Sequence, residues 1–237
     1  MEEPEQIAAY LRTFFQQQVQ VMQGSGQKWL ITAGPTREPL DPVRYLSNHS
    51  TGKMGFALAA AALQAGHEVL LITGPTQQEL AHPHLKLIQI ETAEELLEQV
   101  QANWSWATAG IFSAAVADYR VAEVASEKIK KSAAQMELTL VKNPDVLAWA
   151  AAHKNEQIVV GFALETNNSE ENALMKLRSK KLDYIVLNVQ QNGVSGFGSD
   201  TNKMIIFDRA ERRLELPLQR KSEAAAALVQ ILAAPHE

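Results

Sequence analysis

The stretch from Lys28 to Pro75, KWLITAGPTREPLDPVRYLSNHSTGKMGFALAAAALQAGHEVLLITGP, decides the fold. Trp29-Leu30-Ile31 is a short apolar run that meets the small residues Thr32-Ala33-Gly34, and Val69-Leu70-Leu71-Ile72 is a second that meets Thr73-Gly74-Pro75. Between them an alanine-rich segment, Phe56 to Gln64, ends at Gly66. Strand, helix and strand in that order make a right-handed parallel crossover. Loops from strand to helix commonly take about 2–6 residues. Here the loop runs from Gly34 to Gly52 and carries Arg37, Glu38, Asp41, Arg44, Asn48, His49, Ser50 and Thr51, with Lys53 just beyond. A long polar loop at the carboxyl end of a parallel strand is where open α/β sheets bind ligands.

Past the crossover, Leu85 to Ile90 alternates as a third strand, and Thr92 with Glu95 is a capping box opening a helix through about Asn103. Ile111 to Val116 reads as a buried strand ending at Ala117-Asp118. The polar segment 119–135 breaks the rhythm and is expected to be a mobile excursion, followed by a strand from Met136 to Val141. Asn143-Pro144 predicts a helix start, with Asn143 as N-cap and Pro144 in the first helical position. A strand over 158–162, a helix over 169–181 and a strand over 183–188 follow. The loop Val189–Asn202, an antiparallel hairpin over 203–208 and 213–218, and a helix over 221–233 complete the chain. The expected class is α/β, a Rossmann-like doubly wound, mainly parallel sheet with an additional antiparallel hairpin. Ile7, Leu11, Phe14, Phe15, Val19 and Met22 recur at helical spacing, so residues 1–26 predict a separate helix and linker before a nucleotide-binding domain over 27–237.

Composition narrows the function. The 237 residues are 46% hydrophobic and 21% charged, enough for a sizeable core. A net charge of -5 argues against a nucleic-acid surface. With no cysteine, thiolate metal sites and a cysteine nucleophile are excluded, which fits a cytoplasmic location. No apolar run reaches the roughly 18 residues of a membrane span. The six histidines are scattered, with only His82 and His84 close together.

Generic nucleotide motifs fail. A Walker A loop would need Gly where Ser47 stands and Ser or Thr where Met54 follows Gly52-Lys53. A dinucleotide fold would place an acid at the end of the second strand, which here reads Ile72-Thr73-Gly74-Pro75. Ser47 to Gly55 still has the make-up of an anion site, since hydroxyls, glycines and Lys53 stand where a helix begins. Ordinary capping by Ser50 or Thr51 is the alternative reading. Asn48 is an amide able to donate to a developing oxyanion. Asp118, at a strand's carboxyl end, suits a sugar hydroxyl or Mg²⁺, or a plain turn cap. Lys128, Lys130 and Lys131 form either a solvated run or a swinging phosphate contact. Lys176 and Lys180 stand at i and i+4 with no offsetting acid at position 172 on their own helix, which is unfavourable by about 0.2–0.5 kcal/mol unless an anion binds.

These segments resemble the bacterial phosphopantothenate–cysteine ligases of coenzyme A biosynthesis. The resemblance covers about Lys28 to Leu232 and rests on ITAGPTREPLDPVRYLSNHSTGKMGFA at 31–57, SAAVADYR at 113–120, EKIKK at 127–131, VKNPDVL at 141–147, GFALETNN at 161–168 and the lysine-bearing helix after it. It implies a two-step reaction. The carboxylate of 4'-phosphopantothenate attacks the α-phosphorus of CTP to give an acyl-cytidylate, and the amine of L-cysteine then displaces CMP. It implies Asn48 and Lys128 as catalytic residues. Nucleotide contacts would come from Phe112, Ser113, Ala114, Asp118, Pro144, Asp145, Val146, Leu147, Phe162, Lys176 and Lys180. A phosphate and substrate loop would comprise Gly34, Ser50, Thr51, Gly52 and Lys53, with Asp118 as the Mg²⁺ candidate. Leu164 and Thr51 depart from the family's usual alanine and serine. The resemblance also implies a homodimer, paired through the 203–218 hairpin, and a flavin-dependent phosphopantothenoylcysteine decarboxylase as a fused or separate partner. A Rossmann-type oxidoreductase or epimerase, and a non-catalytic nucleotide-binding subunit, remain as other classes.

Overall fold

The computed structural model describes residues 26–130, 135–165, 168–189 and 198–234. The expected N-terminal helix, Lys131, Thr166, Asn167 and most of the Val189–Asn202 loop lie outside these residues. The described strands are β1 Lys28–Ala33, β2 Arg37–Pro39, β3 Tyr45–Ser47, β4 Glu68–Thr73, β5 Leu85–Gln89, β6 Ala109–Phe112, β7 Tyr119–Val121, β8 Leu140–Lys142, β9 Ile158–Glu165, β10 Tyr184–Val189, β11 Thr201–Asp208 and β12 Arg213–Arg220. The helices are α1 Lys53–Gln64, α2 Ala93–Asn103, α3 Val146–Ala152, α4 Ser169–Lys180 and α5 Lys221–Ala233.

One sheet runs β12-β11-β10-β9-β6-β1-β4-β5. Its six strands from β10 to β5 are parallel, and β11 and β12 add antiparallel to β10. In chain order the parallel strands read 3-2-1-4-5-6, the doubly wound order whose direction reverses between β1 and β6. The expected hairpin is therefore an extension of the main sheet rather than a separate appendage.

Period-two alternation sends side chains to the two faces. Trp29, Ile31, Val69, Leu71, Ile111, Val160 and Val186 meet α1 and α5 on one face. Leu30, Leu70, Ile72, Val159, Ile185 and Leu187 meet α2, α3 and α4 on the other. The small alanines of α1 allow close approach to both β1 and α5, which is why a segment of low amphipathicity is nonetheless buried. Gly66, at φ 87°, ends α1. The Gly66 amide donates to Leu63 O and the His67 amide to Ala62 O, a Schellman closure that needs the left-handed conformation glycine adopts without strain. The capping box of α2 is present, with Thr92 accepting from the Glu95 amide.

Several expectations are corrected. The Gly34–Gly52 loop contains the small antiparallel pair β2–β3, held by the Leu40–Arg44 turn in which Asp41 accepts from the Val43 and Arg44 amides. The strand expected over 111–116 ends at Phe112, because the following residues leave the sheet to bond the loop after β1. The strand expected over 136–141 shortens to β8 and pairs with β7, so the excursion after Asp118 begins as a hairpin arm. Asp145, not Asn143, caps α3: its carboxylate accepts from the Ala148 amide, while Asn143 spends its side-chain amide on Ala117 O. Among the described residues no helix is long and apolar enough to cross a membrane.

The Schellman closure seats His67, 3% exposed, in a stack on Trp29 with ring centroids 4.6 Å apart. Burial pushes its imidazole below the usual value of 6.5. The folded chain therefore stays neutral there while the unfolded chain takes up a proton, so this contribution to stability is full above pH 6.5 and declines as pH falls below it. Between about pH 7.5 and 5.5 the melting temperature of the wild type is expected to drop further than that of His67→Phe, which keeps the stack without the titration. Parallel drops in the two proteins would remove His67 as the cause.

Candidate active site

The loops leaving the carboxyl ends of β1 and β6 diverge at the switch point yet are sewn together. The Ala115 amide donates to Gly34 O and the Thr36 amide to Ala115 O. The Ser113 hydroxyl donates to Thr32 O, 2.6 Å away. The hydroxyls of Thr32 and Thr36, both buried, accept from the Ala114 and Ala117 amides at 3.2 and 3.0 Å. Asn48, just after β3, adds its side-chain amide to Ala115 O at 3.0 Å. That bond uses one of its two amide hydrogens and leaves the other hydrogen and the carbonyl oxygen for a ligand.

This seam floors a cavity of about 340 Å³ whose wall includes Asn48, Ser50, Gly52, Ser113, Asp118, Phe162 and Asn188. Lys53, Lys176 and Lys221 also line it, set against the single carboxylate of Asp118. Gly52 caps α1 with no side-chain hydrogen bond, and the first turn carries no acid. The Ser50 hydroxyl accepts from the Gly52 amide at 3.4 Å, just ahead of the helix, and the N–H groups of the first turn itself suit an anion. Gly55 lets this turn sit against the sheet: a Cβ there would come within 2.5 Å of the Ala33 Cβ and 2.8 Å of the Ser113 hydroxyl. Lys53 donates to Asp200, 2.6 Å away, and to Gly198 O. Lys221, 8% exposed, donates to Ser199 O, and burial with Lys53 nearby lowers its ammonium below the usual 10.5, against the pull of Asp200.

A second cavity of about 480 Å³ adjoins the first through Ala114, Val116, Asp118, Phe162 and Lys176. Phe112, Pro144, Asp145, Leu147 and Lys180 are also on its wall, with Tyr119, Lys142 and Asn143 beside them. Lys176 donates to Phe162 O at 3.1 Å, and Lys180 pairs with Asp145. The offset missing from α4 itself thus comes from α3. Burial alone would raise the Asp145 carboxyl, but Lys180, the Ala148 amide and the Lys176 charge hold it below the usual carboxylate value.

Three of the expected residues, Val146, Gly34 and Lys128, stand apart from these walls, and a fourth, Thr51, is engaged elsewhere. Val146 is buried in the core. Gly34 lies beneath the seam, its left-handed φ of 73° turning the chain out of β1. Thr51 is on the central wall but gives its carbonyl to the Thr76 hydroxyl. Lys128 is exposed and lines neither cavity. Its neighbour Ile129 is clamped, its amide donating to Asp41 and its carbonyl accepting from Arg44, so the ammonium stays in water. Arg44 in turn holds the buried Asp41 carboxyl well below the usual range. Among the described residues no three His, Asp or Glu side chains gather as a metal cluster. Asn188, Asn202 and Lys221 join the central wall unanticipated by the sequence reading. The one available signal was polar residues at strand and helix ends late in the chain.

The family model described as "DNA/pantothenate metabolism flavoprotein C-terminal domain" matches residues 24–235. The chain belongs to this family. It is 50% identical over 196 residues to the coenzyme A biosynthesis bifunctional protein CoaBC of Escherichia coli strain K12, covering 81% of this chain and 48% of that protein. The chain thus spans about half the length of that curated relative. A crystal structure of the C-terminal domain of a CoaBC superposes with a TM-score of 0.75 at 36% identity, covering 88% of this chain and 95% of that one. A Cab2 mutant in complex with phosphopantothenate-cysteine shares the fold, with a TM-score of 0.71 at 17% identity over 95% of this chain and 94% of that one.

Thr36→Val keeps the volume of a side chain that is 0% exposed but leaves the Ala117 amide without its acceptor. The expected cost is on the order of 1–2 kcal/mol in a urea unfolding curve. An unchanged midpoint would show that the seam does not depend on this hydroxyl.

Proposed function

We infer that the chain is a CTP-dependent phosphopantothenate–cysteine ligase acting in coenzyme A biosynthesis. The observation that carries this reading is the continuity of the two cavities. Asn48, Asp118, Phe162, Lys176 and Lys180, drawn from loops and helices far apart in sequence, share one trough at the switch point. The family's link to coenzyme A biosynthesis supports it, and so does a relative in the same fold bound to phosphopantothenate-cysteine.

In this reading the cavity beneath Asp145 and Lys180 takes the base and ribose, with Phe162 as the packing surface. The triphosphate then faces the open N-terminus of α1 and the lysines of the central wall. An acid substrate and a nucleotide repel each other, and Lys53, Lys176 and Lys221 screen that repulsion. The substrate carboxylate attacks the α-phosphorus and pyrophosphate departs. The cysteine amine next attacks the acyl carbon; CMP leaves with the bonding electrons, and the amine loses a proton. The Asn48 amide donates to the oxygen on which charge develops. Mg²⁺ is held by one or two carboxylates together with substrate phosphates, a demand that Asp118 beside a triphosphate fits; when bound it would neutralise phosphate charge. Lys128 enters only through a movement of the excursion about its clamp. A second copy of the chain pairs through β12, the sheet's edge strand, which exposes Leu214 and Leu218.

Purified protein given CTP, Mg²⁺, 4'-phosphopantothenate and cysteine is expected to release CMP and pyrophosphate in equal amounts. No CMP release would overturn the reading. Asn48→Asp is expected to form the acyl-cytidylate but to slow amide formation at least about a hundredfold, as loss of an oxyanion donor does, and unaltered turnover would remove Asn48 from the mechanism. Light scattering is expected to report two chains per particle, and a single-chain mass would dispose of the β12 pairing.

A further inference from the structure

A third cavity, of about 880 Å³, lies on the far side of the Ser50–Lys53 segment, against the carboxyl ends of β4 and β5. Ser50, Thr51 and Lys53 line both it and the central cavity, so the trough continues past the open N-terminus of α1. The central feature of its wall is Arg37. The Arg37 backbone amide donates to Glu91 O at 2.7 Å, which fixes β2 to the end of β5. Its guanidinium lies over the Tyr45 ring, 4.6 Å from the centroid. Stacking engages the face of the guanidinium and leaves its in-plane N–H donors for another partner. Among the described residues none of those donors is taken by a hydrogen bond or an ion pair, although the Glu91 carboxylate stands on the same wall. The side chains of Gln77, Gln78 and Gln89 supply further amides, while the Thr76 hydroxyl is spent on Thr51 O.

We propose that this cavity is an anion subsite in which Arg37 binds a phosphate group of a ligand whose other end lies in the central cavity. An arginine seated over an aromatic ring, with its fork unpaired, suits bidentate recognition of a phosphate. The same chemistry has two sources under the ligase reading, on which this proposal rests. One is the terminal phosphates of the nucleotide, released as pyrophosphate. The other is the phosphate ester at the far end of the acid substrate.

Calorimetric titration without turnover separates them. Wild type, Arg37→Gln and Arg37→Lys are each titrated with CTP, CMP, 4'-phosphopantothenate and pantothenate, with circular dichroism checking that the variants fold. Arg37→Gln is expected to lose about tenfold or more in affinity for CTP or for 4'-phosphopantothenate while the shorter partner, CMP or pantothenate, is unaffected. Arg37→Lys is expected to recover part of that loss, as a point charge without the fork does. A loss confined to CTP identifies the nucleotide's terminal phosphates, and one confined to 4'-phosphopantothenate identifies the substrate ester. Equal affinities of wild type and Arg37→Gln for all four, or no binding of either CTP or 4'-phosphopantothenate to wild type, would overturn the proposal. Failure of the ligase reading registers separately, as intact binding with no CMP release.

Discussion

Two strands that part company at a sheet's switch point leave a gap, and in this chain the gap is a usable cavity because hydrogen bonds tie its two lips together. The end of β1 and the loop after it offer the Thr32 and Thr36 hydroxyls and the Gly34 carbonyl; the loop after β6 answers with the Ala114, Ala115 and Ala117 amides. Buried backbone groups must find partners, and here each loop satisfies the other. The seam fixes where Asn48, Ser113 and Asp118 stand, and the cavity exists only while it holds.

Charge is then added to a frame already set. The start of α1 has neither a capping side chain nor an acid, and lysines from three separate places face the same space. A left-handed φ of 76° and the Thr76 hydroxyl, 2.9 Å from where a Cβ would stand, keep a capping side chain out of position 52, and the like charges are not kept apart. The cations are instead moderated by neighbours: Asp200 for Lys53, Asp145 for Lys180, and the Phe162 carbonyl for Lys176. Such pairings keep the side chains near the cavity in a defined geometry without neutralising it.

What could be read from the sequence was what local chemistry dictates. The apolar runs of β1 and β4, the alanine helix stopped by Gly66 and the Thr92–Glu95 box all depend on residues within a few positions of each other, and all are present. The misreadings share a different cause. Ile111 to Val116 is apolar enough to continue as a strand, but Thr32 and Gly34, just over eighty residues earlier, draw it out of the sheet. The three-residue strands β2, β3, β7 and β8 have no periodicity to detect and exist through their pairing. Asn143 and Asp145 both suit an N-cap, and only the distant Ala117 carbonyl decides which is otherwise engaged. Asn48, Asp118, Phe162 and Lys176, legible in the sequence as candidates, line the cavity, whereas Asn202 and Lys221 arrive from the last strand pair and helix, where no motif marks them.

The clamp between Asp41, Arg44 and Ile129 has a mechanical corollary. Asp41 grips the backbone at both of its ends, holding the Val43 and Arg44 amides on one side and the Ile129 amide on the other. The turn it stabilises leads directly into β3 and so to Asn48. The backbone at Ile129 and the turn that leads to Asn48 are in this way tied to the same carboxylate. Two segments separated by most of a hundred residues share one anchor, a carboxylate buried between them.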